Sequence, residues 1–215
     1  MTDSHLGHAK LLEYGERPEN FEQLIVRGIH ETPVEQDLLI HLGDVCIGHD
    51  EYHHQTLMLP IRSRFKKNVL VRGNHDNKSD AWYYRQGWDF VCRSFSTKIF
   101  GKKLLFTHIP VKQTFKTKEC SECDGFGYLA VADHHPTCDG NCEFCPVQVQ
   151  GQCKACEGEG GFQVSEYDFN IHGHLHGGGI NSHRIGDVEK YDPSYHIDVA
   201  PELRGFAPVK LEKLI

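Results

Sequence analysis

Four times along the chain a short apolar run ends in a turn that carries Asp, Asn or His. Asp37–His41 (Asp-Leu-Leu-Ile-His) runs into Leu42-Gly43-Asp44, and Asn68–Arg72 (Asn-Val-Leu-Val-Arg) into Gly73-Asn74-His75-Asp76. Lys103–Thr107 (Lys-Leu-Leu-Phe-Thr) runs into His108-Ile109-Pro110, and Asp168–Ile171 into His172-Gly173-His174-Leu175-His176. Runs of this length bounded by glycine and polar residues predict buried strands. Phe21, Leu24, Ile25 and Ile29 recur at helical spacing and predict a helix over Asn20–His30. Residues 51–66 predict a second helix, and Tyr195–Val199 and Val209–Leu214 read as further strands. The sum is a mixed α/β (α+β) domain. A single histidine in a loop is ordinary solvated surface, and an Asp after Gly is ordinary turn chemistry. Four such strand ends in succession instead converge ligands on one edge of a sheet, where α/β proteins place their sites.

Residues 111–165 break this pattern. They hold seven of the nine cysteines, many glycines and few large apolar side chains. A segment so poor in apolar surface cannot build a core of its own and needs metal to fold. The predicted organisation is therefore a domain made of residues 1–110 and 166–215, with residues 111–165 as a cysteine-rich insertion.

Composition narrows the function classes. The 215 residues are 39% hydrophobic and 25% charged, with a formal net charge of −7, which excludes a basic nucleic-acid-binding body. No apolar run reaches the length of a membrane span. Met1-Thr2-Asp3-Ser4-His5 has no apolar signal segment, so the expected compartment is the cytoplasm. Nine cysteines in that setting point to reduced thiols and metal rather than disulfides. Sixteen histidines point the same way.

The chemically loaded pieces, in order, are Asp3-Ser4-His5, Gly43-Asp44, Gly73-Asn74-His75-Asp76, Thr107-His108 and Gly173-His174-Leu175-His176. Together they resemble the pattern D-x-H, G-D, G-N-H-[DE], H and G-H-x-H of the calcineurin-like metallophosphoesterase superfamily. Ser4-His5-Leu6-Gly7-His8, with Tyr14 and Arg17-Pro18, is similar to its short bacterial and phage members. The resemblance implies a two-sheet β-sandwich flanked by helices and a dinuclear site. Metal one would be held by Asp3, His5, Asp44 and His176, and metal two by Asp44, Asn74, His108 and His174. Asp44 would bridge the two, a carboxylate having two oxygens to share. His75 would contact the phosphate and protonate the leaving oxygen; Asp44 and Asn74 stand with it as catalytic candidates. The ligand set suits Mn, Fe, Zn, Co or Ni, with manganese preferred. The implied reaction is hydrolysis of a phosphodiester, in a nucleotide or nucleic acid, by a hydroxide bridging the metals. The alternatives are a phosphomonoesterase or protein phosphatase, a non-catalytic module that binds nucleic acid or protein, and a redox- or zinc-responsive regulator.

Further expectations concern single residues. Asp76 either orients His75 or caps the following helix, and His8 either lies near the site or has a structural or surface role. Cys46 and Cys92 read as small core residues. Members of the superfamily deliver D-x-H from an apolar strand, whereas here Asp3 follows only Met1 and Thr2. Either the chain starts further upstream, or it lacks that strand and Asp3 hangs from a free terminus.

Within the insertion, Cys120-Ser-Glu-Cys123-Asp-Gly-Phe-Gly and Cys153-Lys-Ala-Cys156-Glu-Gly-Glu-Gly are two copies of C-x-x-C-x-G-x-G. The repeat resembles the zinc module of DnaJ-type chaperones, which implies one closed site of Cys120, Cys123, Cys153 and Cys156. His135, Cys138, Cys142 and Cys145 make a candidate second zinc site, with His134 as the competing histidine. Because the insertion follows His108, it is expected to leave the domain beside the ligands and to narrow the choice of substrate.

Overall fold

The parallel pairing of the first sheet arises because its apolar runs are separated by helices long enough to cross over them. The structure, a computed structural model, describes residues 1–13, 17–33, 36–126, 128–132, 147–176 and 192–215. It divides into two compact units, Met1–Gln113 with Tyr167–Ile215, and Thr114–Glu166.

In chain order the first unit opens with α1 (Lys10–Glu13), α2 (Phe21–Glu31), β1 (Gln36–His41), α3 (Asp50–Arg64) and β2 (Phe65–Val71). It continues through α4 (Asp80–Gln86), β3 (Phe90–Cys92), β4 (Ser94–Ile99) and β5 (Lys102–Thr107). The second unit holds β6 (Phe115–Glu119), β7 (Tyr128–Ala132), β8 (Val147–Gln152) and β9 (Gly161–Ser165). The chain then returns to the first unit as β10 (Phe169–His172) and β11 (His196–Asp198).

β1, β2 and β3 form a parallel sheet in that order. The other sheet of the first unit has the order β11-β10-β5-β4, with only the β4–β5 pair antiparallel. Alternation along the strands divides the apolar residues into two layers. Leu39 and Leu70 face α2, α3 and α4, joining Ile25, Ile29, Leu57, Ile61 and Tyr83. Ile40, Leu42 and Val71 turn the other way and pack with Leu104, Phe106, Ile171 and Val199 of the second sheet. The unit is thus a mixed α/β structure in which two sheets share one apolar layer.

Helix α4 is closed at both ends by local chemistry. Ser79 caps α4, its Oγ accepting from the Trp82 N–H at 3.3 Å, and Gly87 ends it at φ +107°. Asp76 is therefore not the cap. Val209–Leu214, expected as a strand, instead contains a 3-10 turn over Leu211–Lys213. Leu211 and Leu214, three apart, both reach the shared apolar layer, which a turn allows and an alternating strand does not. Among the described residues, no helix is long and apolar enough to cross a membrane.

In the second unit β6 pairs with β9 and β7 with β8, both antiparallel. Its buried cluster is Cys120, Cys123, Cys153 and Cys156.

Candidate functional site

The first unit brings its ligand-type residues to the carboxyl ends of β1, β2, β5 and β10. Asp44 follows β1, Asn74 and His75 follow β2, His108 follows β5, and His174 and His176 follow β10. Asp3 and His5 join them because the first residues run alongside the β1 turn. The Asp3 N–H donates to Gly43 O, the His5 N–H to Asp44 O and the Leu6 N–H to Val45 O, at 2.9, 2.9 and 3.1 Å. Asp3 is thus wholly buried and tied down, and does not hang free.

Sharp turns present these side chains. Asp3, His5, Asp44, His174 and His176 all have left-handed φ, between 46° and 70°. Non-glycine residues reach that region at a cost, and such strain concentrates where function fixes a side chain. Gly43, at φ +98°, lets its turn pass against the backbone of Gly73.

Two groups of ligand atoms result, Asp3–His5–His176 and Asp44–His108–His174. In the first, His5 Nε2 and His176 Nε2 lie 3.5 and 3.7 Å from Asp3 Oδ1. Asp3 Oδ2 accepts from Thr2 Oγ1 and from the His174 N–H. Oδ1 and His5 Nε2 are buried without a hydrogen bond. In the second, His108 Nε2 lies 3.0 Å from Asn74 Oδ1, 3.1 Å from His174 Nδ1 and 3.3 Å from Asp44 Oδ2. Asp44 Oδ2 also lies 3.5 Å from His5 Nε2, so one oxygen faces both groups. The other oxygen, Oδ1, accepts the His75 N–H at 2.8 Å.

His108 tests whether a cation fits. Its Nδ1 is 2.7 Å from Leu42 O, so that nitrogen carries the proton and donates. Nε2 of the neutral ring then has only a lone pair, and it faces a carboxylate oxygen, an amide oxygen and another imidazole nitrogen. Lone pairs so arranged repel unless a positive charge sits among them. Without metal a proton supplies it: burial alone pushes His108 down, but Asp44 and Asp3 lift it to about 9. The spacing also suits a metal ion, since nitrogen and oxygen ligands at about 2.1 Å stand roughly 3.0–3.4 Å apart in octahedral or tetrahedral sites. Asp3 is prepared for the same partner. Burial pushes it up, but the approach of His5 and the charges of His108, His5 and His176 hold it well below the usual carboxylate range.

His75 stands at the rim, its side chain 43% exposed and its Nε2 3.9 Å from Asp44 Oδ2. His8, which the sequence leaves open between the site and a structural or surface role, lies against the site. Its ring centroid is 5.3 Å from His5 and 6.0 Å from His75. Burial, followed by His5, His75 and His176, lowers it to about 4. Asp76 neither orients His75 nor caps α4: its carboxylate accepts from the N–H groups of Asp44, Val45 and Gly73. Sequence reasoning passed over Glu202, which contacts Arg17 and His176. No local pattern marks Glu202 as different from any other acidic residue in a turn.

The second unit carries a separate site. Cys120 and Cys153 Sγ are 3.9 Å apart and Cys123 and Cys156 Sγ 3.7 Å. A tetrahedron with zinc–sulfur bonds of about 2.3 Å has edges of about 3.8 Å, so the four thiols fit zinc. The two repeats adopt one backbone conformation, with Asp124 and Glu157 at φ 48° and 50°, and Gly125 and Gly158 at 81° and 86°. His134, His135, Cys138, Cys142 and Cys145 lie outside the described residues. Cys46 is buried and Cys92 partly so, and burial raises both thiols, Cys92 to about 11, so they behave as inert packing groups.

No protein-family model matches the chain, and no curated protein matches it. Among solved structures it is similar to the crystal structure of a protein of unknown function from Aquifex aeolicus. The TM-score is 0.59 and the identity 19%, over 100% of this chain and 97% of that one. That likeness concerns the fold alone.

Proposed function

We propose that the chain is a two-metal phosphoesterase of the calcineurin-like type, acting on the phosphodiester of a nucleotide or nucleic acid. The observation that carries this reading is the single oxygen Asp44 Oδ2, held between two groups of metal-type ligands at 3.5 Å from His5 and 3.3 Å from His108. A shared carboxylate oxygen between two such groups suits a pair of cations a few ångströms apart. The two sheets with ligands at their carboxyl edge, and the ordered motif set of the sequence, support the same reading. Divalent ions there, manganese or another of the borderline metals, would supply charge neutralisation on the phosphoryl oxygens and a more acidic water.

The chain's own residues do the rest. Asp3, His5, Asp44 and His176 would hold one ion, and Asp44, Asn74, His108 and His174 the other. Asp76 keeps the turns of Asp44 and Asn74 in register. His75, exposed at the rim with no ligand role, presents Nε2 to the substrate. As water adds to phosphorus and the bond to the leaving oxygen breaks, His75 Nε2 gives that oxygen its proton. The four cysteines of the second unit hold a structural zinc in this reading.

The test is elemental analysis of the purified protein, followed by assay with Mn²⁺ on bis-p-nitrophenyl phosphate and on p-nitrophenyl phosphate. Diester hydrolysis is expected. H75A should lose most of the rate and keep its metal, since the ring is not a ligand, whereas D44N should lose both. A preference for the monoester would move the substrate class, and no turnover with any divalent ion despite bound metal would leave a binding module.

A further inference from the structure

His176 turns Nε2 toward the first ligand group, 3.7 Å from Asp3 Oδ1. To offer a lone pair there, the neutral ring must carry its proton on Nδ1. Two groups compete for that nitrogen, Arg17 Nη2 at 3.3 Å and Glu202 Oε1 at 3.4 Å. They require opposite tautomers. Arginine only donates, so a bond from Arg17 needs a lone pair on Nδ1 and forces the proton onto Nε2, which closes that nitrogen to a cation. A carboxylate only accepts, so a bond to Glu202 needs Nδ1–H and leaves Nε2 open.

Arg17 has better partners. Its Nη2 donates to Asp3 O at 2.7 Å, its Nη1 to Ser4 O at 3.2 Å and its Nε to Glu202 Oε1 at 2.5 Å. The guanidinium is fully buried and the Glu202 side chain only 12% exposed, so the pair is fixed in place. Glu202 sits in the turn Pro201–Leu203 that follows β11, 185 residues from Arg17 in sequence. The second ligand group repeats the logic with a different acceptor, since His108 Nδ1 lies 2.7 Å from Leu42 O.

We propose that Glu202 is a positioning residue that selects the Nδ1–H tautomer of His176, opening Nε2 to a divalent cation, with Arg17 as the clamp that holds the carboxylate in place. This rests on the metal-site reading above and adds to it the group that makes one ligand competent. A carboxylate behind a ligating imidazole also raises its basicity.

The experiment has two readouts on the full chain. Long-range ¹H–¹⁵N correlation on histidine-labelled, metal-free protein at pH 8 reads the tautomer, with His176 assigned by its loss in H176Q. Calorimetric Mn²⁺ titration reads the affinity. Wild type should show Nδ1–H at His176, and E202A, with only Arg17 left beside Nδ1, should show Nε2–H. E202A should also bind one of two Mn²⁺ roughly 10–100-fold more weakly. E202Q keeps the shape and an accepting oxygen, so it should retain the tautomer and lose less affinity, which guards against a folding failure of E202A. Nε2–H in wild type, or Mn²⁺ affinity in both variants equal to wild type, overturns the inference alone. Wild type that shows Nδ1–H but binds no Mn²⁺ overturns the metal-site reading and this inference with it.

Discussion

The carboxylate of Asp76 accepts the backbone N–H of Asp44 at 2.7 Å, across 32 residues of sequence and between two different turns. The same oxygen accepts from Gly73, and its twin from Val45. One side chain thereby locks the Gly43-Asp44 turn to the Gly73-Asn74 turn, and with them ligands of both groups. Removing it in D76A strands three buried N–H groups, each costing about 1–3 kcal/mol. D76N keeps two of the three bonds, because its amide nitrogen cannot accept. Urea denaturation should therefore rank wild type above D76N above D76A. Mn²⁺ affinity should fall in the same order, and an affinity untouched in D76A would remove Asp76 from the site.

Among the described residues the buried cluster of the second unit is four thiols, so its fold should stand or fall with a metal bound there. The matching backbone of the two repeats makes Cys120 equivalent to Cys153 and Cys123 to Cys156, and a single tetrahedral site needs all four. C120A, C123A, C153A and C156A should each release one equivalent of zinc, scored by a chromogenic chelator, and each should lose the same amount of β-sheet signal. A variant that keeps its zinc would show that its thiol is not a ligand.

Much of this was legible in the sequence, and the reasons differ by element. β1, β2, β5 and β10 were visible because buried parallel strands are unbroken apolar runs with glycine or, after β5, proline turns behind them. Asp44, Asn74, His108, His174 and His176 were visible because they sit just after such runs, whereas Asp3 and His5 follow none and were found only as part of the ordered motif set. The 3-10 turn at Leu211–Lys213 was not, since Val209 and Leu211 mimic alternation and only packing of Leu214 against the shared layer decides the matter. Glu202 escaped for a different reason, and His8 stayed open between site and surface for the same one. Their roles depend on approaches made in three dimensions, His8 to His75 and Glu202 to His176, and no spacing along the chain encodes either. Nor does spacing reveal which oxygen of Asp44 faces both groups, because the His75 N–H takes the other.

Gly173 separates crowding from strain. A Cβ there would run into Asp3 Oδ2 and Thr2 Oγ1, the atoms that aim Asp3 at its group. G173A should weaken Mn²⁺ binding by roughly tenfold or more, as displaced support around a ligand does. Gly48 is the contrast, with φ +70° and open space around it. G48A should cost about 1–2 kcal/mol of stability for the left-handed backbone and leave Mn²⁺ binding alone. Equal effects of the two variants on metal binding would show that the close approach at Gly173 is of no consequence.

Asp198, at the end of β11, gives the protein a pH dependence of its own. Its Oδ1 accepts the Ala200 N–H at 2.9 Å, while Oδ2 is buried without a hydrogen bond. Burial is the main reason its folded value rises from 3.8 to about 7, with the charges of Asp3 and Glu202 adding to it. A carboxyl raised in the folded state binds its proton more tightly there than in the unfolded chain. Its contribution to stability is therefore present in full below its ordinary value and is lost as pH rises through about 7. D198N removes the titration and keeps an oxygen for the Ala200 N–H. Denaturation midpoints measured from pH 5 to 9 should show the variant gaining on wild type as pH rises, and levelling off above the folded value. A gap that stays constant across that range would mean that Asp198 titrates alike in the folded and unfolded chain, and that its carboxylate finds a solvating partner in place.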